Sequence, residues 1–375
     1  MNTEHQLADQ AFGASVTLDN GQKLFDLATG GIGHSTKEIV DSVKAQAMKM
    51  GLSNRVLMSE PLLNLCHSIS HKLPDVLSNV YVCSSGDEAF EGALKLCKAL
   101  NPSAKTIAFI SGCHYGSLFF GRYLNHHEEF ETAKDFIELD LLELDGTQLR
   151  CSLEQSDDVL ALCYSPLYED DNGELKAFTD EQLTEFKALS KKMKVPLICN
   201  VSEYCMGVTG HMFGLDLSVM VPDFVVLGGP LGGNLVPVGC YITSLENANN
   251  VYGASSPAKH GSTTGGNPLA SVAGTSTLEY VQNTQADKRF IELGQQIAGF
   301  LQPYVSSVVG SIVNLGLPSH IDARSLMTRL RDNGVLVRQP KGNTLTLHPI
   351  LNSNADELTG ALRVIKGILD DDQNT

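Results

Sequence analysis

The sequence predicts an α/β protein: a mostly parallel sheet covered by helices on both faces, joined to a smaller α+β domain. Short apolar runs alternate with segments of helical period between about residues 79 and 229. Those runs are apolar almost throughout rather than at every second position, as in strands buried on both faces of a parallel sheet. Past about residue 285 the alternation gives way to a helix, a strand pair and a last amphipathic helix.

Taken in order, NVYVCS (79–84) reads as a strand and DEAFEGALKLCKAL (87–100) as the helix after it. TIAFIS (106–111) and VLALCYS (159–165) are strands, and TDEQLTEFKALSKKM (179–193) is a helix. VPLICNV (195–201) and DFVVLGG (223–229) are again strands. KRFIELGQQIAGFLQPYV reads as a helix, SSVVGSIVNLGL as a strand pair and ADELTGALRVIKGIL as the closing helix. Ligands of such sheets bind beyond the carboxyl ends of the strands, where the motifs below are placed.

Composition bounds the function. With 42% hydrophobic and 19% charged residues, the chain has the make-up of a soluble globular protein, and no run approaches the roughly 18 apolar residues of a membrane span. Its opening residues, MNTEHQLADQAFG, are polar and acidic, so neither a secretory signal nor a transit peptide is expected. A net charge of −16 disfavours nucleic acid and anionic membranes as partners. The nine cysteines form no CxxC pair, and most lie in apolar runs. They are expected to be buried, reduced thiols of a cytoplasmic protein, and no His/Cys cluster has metal-ligand spacing.

The segment CSSGDEAFEGALKL (83–96) places a Ser-Ser-Gly turn between strand and helix. Ser85 with Glu88 three residues on fits a capping box, and the free N–H groups of such a turn suit a phosphate. Most capped helices bind nothing, so the motif alone leaves both readings open.

Three segments in order carry more: CSSGDEAFEGALKL, then PLICNVSEYCMGVTGHMFG (196–214) with PDFVVLGGPLGGNLVPVG (222–239), then HGSTTGGNPLASVAG (260–274). They resemble the class III aminotransferases of the ornithine and 4-aminobutyrate type, which read SGTEAxExALKLA, LIxDEVQTGxGRTGxMF, PDIxxLAKGLGGGxPxG and HxSTFGGNP. VTLDNGQKLFDLATGGIGHSTKEIVDSVKAQ (16–46) and DNGVLVRQPKGNTLTLHPIL (332–351) resemble the family's opening and closing segments, so the likeness spans roughly residues 16 to 365. The spacer from 116 to 158 is shorter than usual for the family. The resemblance implies the fold type I pyridoxal-phosphate transferase fold: a large domain with a mostly parallel seven-stranded sheet and a small α+β domain built from both chain ends. Residues 1–40 and 285–375 are expected in the small domain and 41–284 in the large one. It also implies pyridoxal phosphate as cofactor and a homodimer with its sites at the interface.

The same resemblance places glycine where the family keeps its cofactor-anchoring lysine. Setting LGGPLGGN against LAKGLGGG puts Gly229 on that position, and no lysine occurs between Lys194 and Lys259. The family's ring-nitrogen aspartate aligns with Asn200, a neutral amide that cannot hold a pyridinium by charge. Its glutamine near the phenolic oxygen aligns with Glu203, and its small residue after Ser-Gly with Asp87, which would face the phosphate or point away from it. The ring-stacking tyrosine aligns with His114, followed by Tyr115; the acid of its Glu-Pro pair aligns with Ser165. The carboxylate-clamping arginine aligns with Thr346, and Arg338 is a substitute or a surface residue. Ser85, Gly86 and Thr263 match the phosphate cup, with Thr263 expected from the other subunit, and Gly265 to Pro268 keep the adjoining turn.

Two readings follow. One is a class III homologue unable to transaminate through a lysine Schiff base, acting as a partner or regulatory subunit in a homodimer or paired with an active paralogue. The other is an enzyme acting on an amino-group donor with noncovalent cofactor, or with Lys259 as a displaced lysine and His114 or His260 moving protons. In either, pyridoxal phosphate is held at most noncovalently at Gly229. A small-ligand binding protein using the old cleft is a third possibility.

Overall fold

The computed structural model describes residues 7–53, 57–125, 136–139, 159–253 and 261–373. The chain opens with β1 (Ala8–Phe12), β2 (Ser15–Leu18) and β3 (Lys23–Asp26), an antiparallel meander. Helices α1 (Lys37–Ala47) and α2 (Glu60–Ser70) follow. Then come β4 (Asn79–Cys83), α3 (Gly86–Leu100), β5 (Thr106–Ile110), α4 (Phe119–Asn125), β6 (Phe136–Leu139) and β7 (Val159–Tyr164). A small hairpin, β8 (Leu167–Glu169) and β9 (Leu175–Ala177), precedes α5 (Asp180–Met193), β10 (Leu197–Asn200) and β11 (Phe224–Leu227).

The seven-stranded sheet has the order β4-β12-β11-β10-β7-β5-β6, with β12 (Gly239–Thr243) antiparallel to both its neighbours and the other pairings parallel. Strands β5, β7, β10, β11 and β12 are buried at every residue, which is why the first four read as continuous apolar runs. Helix α3 buries Ala89, Phe90, Ala93, Leu94 and Cys97 along one face, spaced at the helical period. Helix α5 starts on a capping box between Thr179 and Gln182. Both helices begin within a residue of the sequence expectation.

A second core packs N-terminal residues Phe25 and Leu27 with residues from α6 (Ala286–Phe300), β14 (Ile312–Gly316), α7 (Ala323–Asp332), β16 (Thr344–Leu347) and α8 (Ala355–Gln373). The strand β15 (Val335–Leu336) pairs in parallel with β3, so Val335 sits opposite Phe25. The expected strand pair is β13 (Val305–Val309) with β14. The helix expected over residues 288–305 stops at Phe300, ahead of Pro303, which cannot donate to a continuing helix. Eight cysteines are described, seven buried and Cys66 partly so, and none is bonded to another. Cys151 and most of the 116–158 spacer lie outside the described residues.

Candidate active site

The carboxyl ends of β4, β5, β10 and β11 bring Ser85–Gly86, His114, Ser202–Glu203 and Gly229 around one cavity of about 480 Å³. Thr29, Gly30, Gly31, His34, Arg338 and His348 close it from the second core's side. A second lobe of about 460 Å³ adjoins it and shares His114, Glu203, Tyr204, Arg338 and His348. The two lobes form a cleft between the layers, where α/β sheets place ligands.

The turn after β4 is pressed onto the neighbouring strand ends. A Cβ on Gly86 would lie 2.5 Å from Ser202 Cβ, and one on Gly239 would lie 2.1 Å from the Ser85 carbonyl oxygen. Only glycine allows this approach. Ser85 caps α3, its hydroxyl accepting from the Glu88 N–H at 3.1 Å. The Glu88 carboxylate accepts from Ser84 N–H rather than from Ser85, so the expected capping box is displaced by one residue. Asp87 does not point away from the turn: it lines the cavity, and its carboxylate accepts from Ser117 N–H at 2.9 Å.

Gly229 opens a 3-10 turn, Gly229–Gly232, with φ +31. That is the tight strand-end turn expected there. Among the described residues no lysine lines the larger lobe. Lys341 lines the adjoining one, its ammonium 2.7 Å from Glu169. Lys259 and His260 lie outside the described residues.

Asn200 is buried (2% exposed) and is absent from the lining of either lobe. Its amide donates to the His114 carbonyl at 3.3 Å and accepts from Ser202 N–H at 3.2 Å, bracing two loops under the site. His114 lines both lobes, with Nε2 3.4 Å from the Glu203 carboxylate, and Arg338 lies 4.0 Å from that carboxylate's other oxygen. Arg338 is therefore at the cleft, where its Nε donates to the Ala28 carbonyl. Tyr115 turns the other way: its buried hydroxyl accepts from Ile110 N–H and bonds the Ile110 and Cys163 carbonyls. The inverted His-Tyr order thus presents imidazole to the cavity and phenol to the core. Thr346 donates to Asn314 across the β14–β16 pair, and Ser165 is buried with its hydroxyl unpaired. Thr263 is exposed and outside both lobes of its own chain.

Sequence reasoning missed a pair at the back of the site, a half-buried histidine on a buried aspartate. His34 Nε2 lies 2.9 Å from Asp26, whose carboxylate also accepts from Ala28 N–H, Thr29 N–H and the Thr29 hydroxyl. Burial raises that carboxyl, but the bonds from His34 and Thr29 outweigh it and hold it below the usual range. The histidine beside it in space, His348, is held neutral: burial and then the Arg338 charge push it down to about 3, against an opposing effect of Asp26. The Gly-His of GGIGHST was the available signal for His34; nothing local marked Asp26 or His348.

The sequence model of the family described as aminotransferase class-III matches residues 2–121 and 147–369. The chain belongs to the class III aminotransferases. Within that family, the ornithine aminotransferase of Bacillus subtilis (strain 168) is 26% identical over 384 residues, covering 96% of this chain and 92% of its own length. The acetylornithine aminotransferase of Methanopyrus kandleri is 29% identical over 365 residues, covering 93% and 90%. Among solved structures, the ornithine aminotransferase of Toxoplasma gondii superposes with a TM-score of 0.86 at 20% identity, covering 100% of this chain and 93% of that one. An amine transaminase from an uncultivated Pseudomonas species, solved in its PLP-bound form, gives 0.87 at 18% identity, covering 98% and 95%. These likenesses show the fold type I architecture that the sequence predicts.

Class III membership implies pyridoxal phosphate, and the residues present fit it poorly. Gly229 offers no amine, and the Asn200 amide is spent on backbone groups. Asp87 puts a carboxylate at the phosphate turn, and Glu203 lines the same cavity. No chemical step through that cofactor follows from this set of side chains.

Proposed function

We propose that this class III aminotransferase homologue does not transaminate by the lysine Schiff-base route and serves as a non-catalytic partner or regulatory subunit. Gly229 carries the proposal. Amino transfer in this fold needs an amine at the cofactor aldehyde that can also shuttle the proton. The left-handed glycine turn at 229, with no lysine along the larger lobe among the described residues, supplies neither. Any pyridoxal phosphate held here is held noncovalently.

The partner is a chain of the same fold, either a second copy or an active paralogue. In support, Met48, Leu52, Leu57, Met58, Leu63, Leu118 and Phe119 are exposed apolar residues. Leu118 and Phe119 line a cleft with Gly261 and Ser262 of the Gly261–Asn267 turn; Leu62, next to Leu63, lies against Gly266, and Leu269 faces Gly51, next to Leu52. An apolar surface of that extent on a chain of charge −16 suits burial against a like fold. Thr263 projects from the same turn, so a paired active chain would receive it. Among the described residues no helix is long and apolar enough to cross a membrane; a cytoplasmic protein is proposed.

The test is incubation of the purified chain with pyridoxal phosphate, followed by visible spectroscopy, borohydride reduction and peptide mapping. No fixed adduct, and no transfer from ornithine or acetylornithine to a keto acid, is expected. Turnover with a fixed lysine would overturn the proposal. A second reading keeps an enzyme, favoured by Lys341, which is 67% exposed in the adjoining lobe. An adduct on Lys341 or Lys259 would establish it.

A further inference from the structure

We propose that Asp87 fills the anion position of this cavity from within the chain, so that the cavity takes small unphosphorylated ligands and rejects their phosphate esters. The first turn of α3 is where the fold offers free N–H groups and the positive end of a helix dipole to an anion. In this chain the Asp87 carboxylate stands beside that turn, bonded to the neighbouring loop. Asp87 accepts from Ser117 N–H at 2.9 Å, and its second oxygen rests on Gly116, where a Cβ would come within 2.5 Å. The loop after β5 is thereby clipped to the start of α3.

The neighbouring acidic groups add charge of the same sign, with Lys95 one turn beyond Glu91 as the opposing cation. Glu88 accepts from Ser84 N–H and Glu91 from Phe120 N–H, so three carboxylates occupy the first two turns of the helix. Burial raises the Glu91 carboxyl against the Phe120 and Gly121 N–H groups and Lys95, which lower it, and Asp87 adds a smaller rise. Glu203 adds a carboxylate to the larger lobe itself, and Arg338, the one arginine among its described lining residues, bonds the Ala28 carbonyl and faces Glu203. A phosphate dianion at the turn would meet Asp87 within a few ångströms and find no lysine among the described lining residues to offset it. A neutral or cationic head group meets no such repulsion.

The inference deepens the proposed function by naming the ligand class of the same site, but it is tested separately. Pyridoxamine and pyridoxamine phosphate carry no aldehyde, so neither needs a lysine, and the outcome is independent of the borohydride result. Calorimetric titration of the full chain is expected to show the phosphate ester binding no tighter than pyridoxamine. Asp87→Asn keeps an acceptor for Ser117 N–H and removes the charge, and the ratio of the two affinities should shift toward the ester by about tenfold or more. Asp87→Gly, which also opens the space, should shift it the same way. A wild-type preference for the ester of about tenfold or more would overturn the inference. So would folded Asp87→Asn and Asp87→Gly variants that gain nothing.

Discussion

A Cβ added to Gly229 would stand 3.0 Å from the carbonyl oxygen of Ser202, on a backbone already at φ +31. The position that carries the lysine in the family resemblance has settled here into a conformation that favours glycine. Gly229→Lys and Gly229→Ala are each expected to lose about 1–3 kcal/mol of stability, the cost of a strained left-handed residue. Urea denaturation should show a lower midpoint with an unchanged slope. The lysine variant should also show no amino transfer, because Asn200 and Thr346 remain bound to their neighbours.

His348 makes stability depend on pH. Its ordinary value of 6.5 falls to about 3 in the folded chain. Between those values the unfolded chain binds a proton that the folded chain does not, so stability is complete above 6.5 and is lost as pH falls toward 3. Unfolding free energy should drop by about 2 kcal/mol between about pH 7 and about pH 5. His348→Phe should flatten that interval, as urea titrations at the two values would show.

Asp26 acts in a more acidic window. Its carboxyl is lowered from 3.8, so its contribution is present above that value and is lost as pH falls through the lower folded value. Asp26→Ala leaves Ala28 N–H, Thr29 N–H and His34 without their acceptor. A loss of about 3 kcal/mol or more is expected, with Asp26→Asn, which keeps an acceptor, losing less. Thermal unfolding of both variants at neutral pH decides this.

The apolar surface beside the 261–267 turn predicts an oligomer. Met58 and Phe119 are 77% and 73% exposed. The isolated chain should sediment as a dimer, and Met58→Glu with Phe119→Glu should give a monomer that retains its secondary structure. A wild-type monomer that captures no class III chain on co-expression would remove the partner role.

Much of the large sheet was legible because β5, β7, β10 and β11 are buried at every residue. The apolar runs at 79–84, 106–111, 159–165, 195–201 and 223–229 each enclose one strand of that sheet. The antiparallel strand β12 and the four-stranded sheet of β1, β2, β3 and β15 gave no such signal. β15 is two residues long and finds its partner at the other end of the chain. In the site, Ser85, Gly86, Asp87, His114, Glu203 and Gly229 come together around the larger lobe. Asn200 supports it from beneath, and Thr263 faces outward.

The sequence by itself determined the strand–helix alternation, the class III pattern and the glycine at 229, because each is written in residues close together along the chain. Tertiary structure alone decided that Asp87 turns inward to Ser117, that Asn200 is consumed by backbone groups, and that His34, backed by Asp26, walls one cavity with Arg338 and His348. Those outcomes depend on side-chain direction and on contacts between distant segments, which hydrogen-bond geometry and burial fix only once the two cores have closed on each other.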